Sequence, residues 1–268
     1  MKILSINIEF GGYYLFEHCK SYGFIEAYGD LIRKQHIDVV CFQECMFLGE
    51  KSFDTSKKLA KQLGWFHIGH PKHYLSMISK FPLKRIGGGR GSVHPFLACM
   101  FTDDHGKVWR VANVHCNDQP FTYYSLIGLP YPNTPPDLTP KKAATLSYES
   151  KEDDLNATLR SMRSRSKRVI ICGDFNEPSH LDQDIPWKCS RELARRGFID
   201  TIRDKHPDPR RFPMFTCDVQ RKETETNPPL RIDFMYAKSK PKHVDYLREL
   251  KWKGQYLSDH LPIVAEFS

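Results

Sequence analysis

The stretch RVIICGDFN at residues 168–176 decides the fold. Its apolar part, residues 169–172, is rich in β-branched side chains and is typical of a buried strand. Asp174 and Asn176 follow at the end of this run with one residue between them, so both side chains are expected on the same side of the strand. A strand core does not tolerate a carboxylate and an amide unless they cluster at its exposed end for a purpose. The stretch therefore indicates a β-sheet that carries functional groups at a strand end.

Other segments of similar composition extend this prediction along the chain. Helical stripes lie between several of them, and the segments 74–79, 96–102 and 108–114 follow one another over short glycine-containing links, which favours antiparallel neighbours. We predict one α/β domain over residues 1–268, with two sheets packed face to face and helices outside. The predicted strands are residues 2–8, 37–42, 74–79, 96–102, 108–114, 168–173, 232–237 and 262–267, and the helical stripes are Ile25/Tyr28/Ile32, Leu59/Leu63, Leu155/Leu159 and Leu193/Ala194 before Gly197.

Composition limits the class of protein. The chain has 268 residues and 40% hydrophobic content, which suffices for one large core. Asn7 and Glu9 interrupt the first apolar stretch too early for a secretion signal, and no apolar run of about 18 residues follows. The eight cysteines sit mostly inside apolar runs, with neither zinc-ribbon nor CxxC spacing, so we expect reduced core thiols. We expect a cytoplasmic or nuclear protein without a transmembrane segment, monomeric by default.

Polar residues end or interrupt several other predicted strands. Each position alone is weak evidence, because a strand-end Asn or Asp often serves only local hydrogen bonding. For example, Asp233 could simply pair with Arg231. Together they form an ordered series: Asn7 and Glu9; Gln43 and Glu44; Asn113 and His115; Asp174 and Asn176; Asp233; and Ser258, Asp259 and His260.

Taken in order, this series resembles the motifs of the endonuclease, exonuclease and phosphatase superfamily, which includes apurinic endonucleases, pancreatic-type deoxyribonucleases, neutral sphingomyelinases and inositol polyphosphate 5-phosphatases. The most specific part is GDFN at residues 173–176 together with SDH at 258–260 and the upstream Gln43 and Glu44. The resemblance spans residues 3–267. It implies a deoxyribonuclease I-like, four-layer αββα sandwich of two mixed sheets, and a metal-dependent hydrolase acting on phosphate ester bonds.

The resemblance also implies a metal site. Glu44 and Asn7 offer oxygen ligands suited to a hard divalent ion such as Mg²⁺, with Mn²⁺ as a substitute. Asp259 resembles a further acidic group near the metal. Glu9 occupies the position where apurinic endonucleases carry the shorter Asp, so it is an additional candidate metal ligand. Asn113, which lies beside the phosphate-contacting candidate His115 in the sequence, is a further candidate site residue.

Catalytic roles follow from the same resemblance. Asp174 would orient or deprotonate the attacking water, and Asn176 would help to hold that water or the phosphate. His260 would contact the scissile phosphate while Asp233 accepts its other ring proton. His115 would be a second donor to the phosphate.

The substrate is left open by these motifs. A formal charge of +8 and a pI near 9.0 favour a polyanion. Arg85 and Arg90 flank a glycine-rich loop, and Tyr123 and Tyr124 could stack on bases, which would suit DNA or RNA. The Pro-rich stretch 117–140 is either a loop beside the active site or a surface excursion.

Two alternatives to a nuclease remain. A phosphodiesterase or phosphatase acting on lipid or inositol phosphates would use the same catalytic residues, because loops around a common centre set the specificity. A protein that binds nucleic acid without hydrolysis is a remote alternative, and loss of the Asp or His of the motifs would be its sign. The sequence retains both.

Overall fold

All eight predicted strands are present in the computed structural model, which describes residues 1–19, 23–47, 52–88, 92–212, 214–217, 230–248 and 251–268. The strands are β1 (Lys2–Asn7), β2 (Val39–Gln43), β3 (Met46–Phe47), β4 (Phe53–Asp54), β5 (Phe66–His70), β6 (Leu75–Ser79), β7 (Lys84–Gly87), β8 (Phe96–Thr102), β9 (Val108–His115), β10 (Val169–Asp174), β11 (Ile199–Asp200), β12 (Asp233–Ala237), β13 (His243–Tyr246), β14 (Lys251–Trp252), β15 (Gln255–Tyr256) and β16 (Ile263–Glu266).

Helices fill the connections between the strands. The four predicted stripes fall in α2, α3, α6 and α7 of the series below. None of the helices in the described ranges is long and apolar enough to cross a membrane. The helices are α1 (Glu9–Cys19), α2 (Phe24–Lys34), α3 (Thr55–Leu63), α4 (Thr122–Leu126), α5 (Pro140–Glu149), α6 (Glu152–Ser161), α7 (Lys188–Arg195) and α8 (Thr201–Lys205).

Two six-stranded mixed sheets form the middle of the molecule. The first has the order β13-β16-β1-β2-β6-β5, and the second has the order β11-β12-β10-β9-β8-β7. Within these sheets β1 pairs with β2 in parallel, and β9 pairs with β10 in parallel, whereas the other registered pairs are antiparallel. The predicted deoxyribonuclease I-like arrangement of two mixed sheets with helices is therefore confirmed.

Strands buried on both faces explain the continuous apolar runs in the sequence. In β1, Ile3 packs into the core between the sheets, whereas Leu4 and Ile6 pack into a second core against α2 and α3. In β10, Ile170 faces the first core and Ile171 faces a third core against α6 and α7. Successive side chains thus point alternately into two apolar layers. Neither face of these strands is exposed to water, so the sequence shows no alternation of apolar and polar residues.

Cysteines contribute to these cores as predicted. The seven cysteines with described side chains are free thiols, and six of them are buried. Burial raises the pKa of the Cys99 thiol to about 12, which keeps it protonated at neutral pH.

A buried polar bridge joins the two sheets. Gln43 of β2 donates through Nε2 to Asn113 Oδ1 at 2.5 Å, and Asn113 of β9 donates through Nδ2 to the carbonyl oxygens of Phe42 and Ser76 at 2.8 and 2.9 Å. Both amide residues are fully buried. Asn113 therefore lies between the sheets and not at the surface where a phosphate would bind.

Arg231 forms a second buried network. Its guanidinium donates to both carboxylate oxygens of Asp182 and of Asp200, at distances between 2.6 and 3.0 Å, and only 2% of the residue is exposed. Arg203 also donates to Asp182, at 2.6 Å. Arg231 is thus fully engaged away from Asp233, which removes the alternative pairing that its sequence position suggested.

We predict that Arg231→Met lowers the free energy of unfolding by about 3–5 kcal/mol, because it leaves two buried carboxylates without their shared partner. Urea denaturation followed by circular dichroism measures this. The matched control is Arg196→Met, which removes a half-exposed ion pair with Glu192 and should cost less than about 1 kcal/mol. Equal losses in the two variants would contradict the assigned role of Arg231.

Candidate active site

Four strand ends converge on one cleft. Asn7 ends β1, Glu44 follows the last residue of β2, His115 ends β9, and Asp174 ends β10. β1 and β2 are parallel in the first sheet and β9 and β10 are parallel in the second, so each pair ends at one sheet edge. The hydrogen bond from Asn7 to Asp174 shows that these two edges meet. The cleft has a volume of about 630 Å³ and is lined by Phe10, Glu44, His73, Tyr74, Val93, Pro95, His115, Cys116, Asn117, Asp118, Tyr131, Ser150, Asp154, Asp174, Asn176 and His260.

Asn7 links carboxylates from the two sheets. Its Nδ2 donates to Glu44 Oε1 at 2.9 Å and to Asp174 Oδ2 at 3.2 Å, while its Oδ1 accepts from the backbone N of Glu9 at 3.1 Å. Only 1% of Asn7 is exposed. The amide therefore holds two acidic groups at a fixed separation.

Two histidines face the Asp174 carboxylate, and one of them also faces Glu44. His115 Nε2 lies 3.8 Å from Glu44 Oε1 and 3.7 Å from Asp174 Oδ2. His260 Nε2 lies 3.9 Å from Asp174 Oδ2. These distances are too long for direct hydrogen bonds, so both Nε2 atoms are available to another group in the cleft.

His260 is oriented by Asp233. Its Nδ1 lies 2.9 Å from Asp233 Oδ2, and its backbone N donates to Ser258 Oγ. Burial alone lowers the pKa of His260, but the carboxylates of Asp233, Asp259 and Asp174 outweigh it and raise that pKa well above its usual value. Burial raises the pKa of Asp233 to about 6, an effect that the nearby imidazolium opposes. The raised pKa of His260 favours an imidazolium paired with the Asp233 carboxylate, and Nε2 is turned toward Asp174 and the cleft.

The turn after β10 positions the side chain of Asn176. Asn176 has left-handed backbone (φ 46°), and its N donates to Asp174 Oδ1 at 2.9 Å. Its Nδ2 donates to the carbonyl of Cys116 at 3.0 Å, so its amide oxygen is the atom offered to the cleft. Gly173 (φ 137°) is required before this turn, since a Cβ there would lie 2.0 Å from the carbonyl oxygen of Val114.

Carboxylate and amide oxygens at this edge fit a hard divalent ion. Glu44 presents Oε1 on the same side as Asn7 and Asp174, and its backbone is left-handed (φ 54°), which costs on the order of 1–3 kcal/mol and is typical of functional positions. Asp174, Asp233 and His260 also place ligand atoms within 4.8 Å of one another. We favour the Glu44 side for a cation, because His260 is already committed to Asp233 and carries positive charge.

Glu9 and Asp259 lie just outside the lining of the cleft. The backbone N of Glu9 donates to Asn7 Oδ1 at 3.1 Å, and Asp259 Oδ1 accepts from Ser258 Oγ at 3.0 Å. Burial raises the pKa of Tyr28 well above its usual value, and the charges of Asp259 and Glu9 add to that effect. Neither carboxylate is among the groups that line the cleft.

Three of the four residues predicted to bind substrate lie outside the cleft. Arg85 donates to the carbonyl of Gly69 at the edge of the sandwich. Tyr123 is 4% exposed and packs against Trp187, and Tyr124 packs edge-on against aromatic neighbours. None of these three lines the cleft. Arg90 lies outside the described residues.

Several cleft residues were not predicted from the sequence. His73 lines the cleft, as does Asp154, which pairs with His94 Nδ1 at 2.7 Å. Asp118 accepts from the Tyr131 hydroxyl at 2.7 Å, and both residues lie in the Pro-rich stretch. The Pro-rich stretch was the sequence signal that could have revealed Asp118 and Tyr131, because part of it borders the cleft.

Comparison with known proteins agrees with this geometry. The model of the Endonuclease/Exonuclease/phosphatase family matches residues 4–260. The chain belongs to this family. A protein of Caenorhabditis elegans described only as uncharacterized is 29% identical over 131 residues, and this match covers 37% of the chain and 40% of that protein.

Solved structures share the fold at low identity. A humanized D. rerio TDP2 has a TM-score of 0.64 at 14% identity and covers 99% of this chain and 97% of its own. The beta toxin of Staphylococcus aureus has a TM-score of 0.57 at 17% identity, with full coverage of both chains. Sphingomyelinase C from Streptomyces griseocarneus has a TM-score of 0.57 at 14% identity and covers 100% of this chain and 99% of its own.

We predict that Asp233→Asn lowers the pKa of His260 by at least about one unit, because the imidazolium loses the carboxylate that stabilises its charge. An NMR titration of the His260 ring in metal-free protein measures the change. Asp30→Asn, which removes an exposed ion pair with Arg33, is the control and should leave His260 unchanged. An unaltered His260 pKa in Asp233→Asn would refute the pairing.

Proposed function

We propose that this chain hydrolyses a phosphodiester bond by in-line attack of an activated water, with DNA or RNA as its substrate class. The observation that carries the proposal is the meeting of Glu44, Asp174, His115 and His260 in one cleft, where the buried Asn7 bonds to both carboxylates. Family membership supports the reaction class, since the family's name covers nucleases and phosphatases.

Glu44 and Asn7 would hold a Mg²⁺ ion, with Asp259 or Glu9 adding a ligand directly or through water. When bound, such an ion supplies charge neutralisation at the phosphate oxygens. One structural neighbour, a beta toxin variant, is described with bound magnesium ions. Mn²⁺ would serve as a substitute.

Asp174 is the proposed base. Its Oδ1 is fixed by the backbone N of Asn176, and its Oδ2 accepts from Asn7 and faces both histidines. A water held between Asp174 and the amide oxygen of Asn176 would be oriented for attack, and Asp174 would take its proton.

His260 and His115 would bind the nonbridging oxygens of the scissile phosphate. The imidazolium of His260 can donate through Nε2 because Asp233 holds Nδ1, and its positive charge opposes the charge that develops in the transition state. His115, the last residue of β9, provides a second ring nitrogen. The phosphate would therefore lie between the two rings.

Nucleic acid is favoured by the charge of the chain. The net charge of +8 suits a polyanion, and one structural neighbour, D. rerio TDP2, is described in complex with a single-strand DNA product. A lipid or inositol phosphate substrate is the second candidate, because Sphingomyelinase C is also among the structural neighbours. A binding protein without activity is disfavoured, since Asp174 and His260 are both present and oriented.

We predict that Asp174→Asn or His260→Ala lowers kcat by at least about 100-fold, the loss expected when a positioned base or charge-stabilising group is removed. His243→Ala, at an exposed position on β13, is the control and should keep wild-type turnover. Folded Asp174→Asn or His260→Ala protein with near-normal turnover would overturn these roles.

The substrate class is tested by incubating the wild-type protein with single- and double-stranded DNA, RNA, an abasic duplex, sphingomyelin and inositol polyphosphates, in Mg²⁺ and then in chelator. We expect Mg²⁺-dependent cleavage of nucleic acid. Selective release from sphingomyelin or an inositol phosphate would replace that substrate while leaving the catalytic residues in place. Full activity in chelator would contradict the metal requirement.

A further inference from the structure

Three residues with left-handed backbone meet at one wall of the cleft. They are Phe10 (φ 43°), Glu44 (φ 54°) and Tyr74 (φ 50°). Hydrogen bonds join their segments: Phe10 N donates to Glu44 Oε2 at 3.2 Å, and Cys45 N donates to the carbonyl of Tyr74 at 2.8 Å. Side chains with a Cβ seldom adopt this conformation, and its clustering at one place is characteristic of functional sites.

The backbone beside Phe10 has no room to relax. Gly11 N donates to the carbonyl of Glu44, and a Cβ at Gly11 would lie 2.2 Å from the backbone N of Phe47. Residues 9–12 all have positive φ, so the chain turns sharply directly after the strand that carries Asn7. This turn fixes Phe10 at the cleft instead of letting its ring pack into a core.

Both rings are left exposed by this arrangement. Phe10 is 44% exposed and Tyr74 is 39% exposed, and both line the cleft with the exposed Val93. Phe66, Val108 and Leu181 are the other large apolar side chains found exposed within the described ranges, and they do not line it. Exposed apolar groups concentrated at a cleft mark a binding surface.

We propose that Phe10 and Tyr74 form a stacking subsite for a planar aromatic group carried by the substrate, either a nucleobase or an aryl ester. Ring faces beside the catalytic groups bind such a group with little dependence on its identity. An acyl chain fits less well, because the cleft is also lined by the polar side chains of His73 and Asp154. The inference rests on the proposed function for the position of the phosphate.

The test uses phosphate monoesters, whose binding needs no turnover. Calorimetry in Mg²⁺ gives the Kd of methyl, hexyl and phenyl phosphate and of thymidine 5′-monophosphate for the wild-type protein. We expect phenyl phosphate and the nucleotide to bind about 10-fold more tightly than methyl phosphate. Hexyl phosphate should resemble methyl phosphate.

Leucine variants separate stacking from general apolarity. Phe10→Leu and Tyr74→Leu should abolish the aromatic preference, whereas Phe66→Leu, at an equally exposed ring on β5, should keep it. Phe10→Tyr and Tyr74→Phe retain a ring and should keep the aromatic preference as well. They show that the two positions tolerate substitution when the ring remains.

The proposal is overturned if the wild-type protein binds all four monoesters equally. It is also overturned if hexyl phosphate matches phenyl phosphate, or if the leucine variants keep the preference. If the protein prefers the aromatic monoesters but hydrolyses no diester, the proposed function is refuted while the stacking subsite is supported.

Discussion

Amide side chains that cross between the two sheets determine where everything else in the site can lie. Asn7 reaches from the first sheet to Asp174 on the second, and the Gln43–Asn113 bridge lies in the buried interior between the sheets. Buried amides must be paired, so the sheets can slide against each other only by losing these hydrogen bonds. The separation of the Glu44 and Asp174 carboxylates is therefore fixed by the packing of the sandwich.

The electrostatics of the cleft follow from this geometry. Glu44 and Asp174 are brought together by one neutral amide, and neither histidine comes closer than 3.7 Å to them. Carboxylates held this close favour cations and protonated neighbours. The raised pKa of His260 has a different main source, because Asp233 contributes most to it, followed by Asp259 and then Asp174.

The sequence contained the central strands and the catalytic series, because buried strands form continuous apolar runs and polar residues interrupt them only at their ends. It did not reveal the edge strands β5 and β13, whose segments FHIGH and HVDY mix apolar with polar and glycine residues. Tyr123, which the sequence suggested as a stacking residue, is buried, whereas Phe10 and Tyr74, which have positive φ, line the cleft. Backbone conformation at such turns depends on tertiary contacts and leaves no composition signal.

The pairing of β1 with β16 has a consequence for biogenesis. Lys2 lies opposite Glu266, and the segment that carries His260 leads into β16. A ribosome releases β1 long before β16, so a nascent chain completes this strand pair and the surroundings of His260 late. Until β16 emerges, the edge of β1 that it covers is open to pairing with other strands, and the chain is exposed to aggregation for that time.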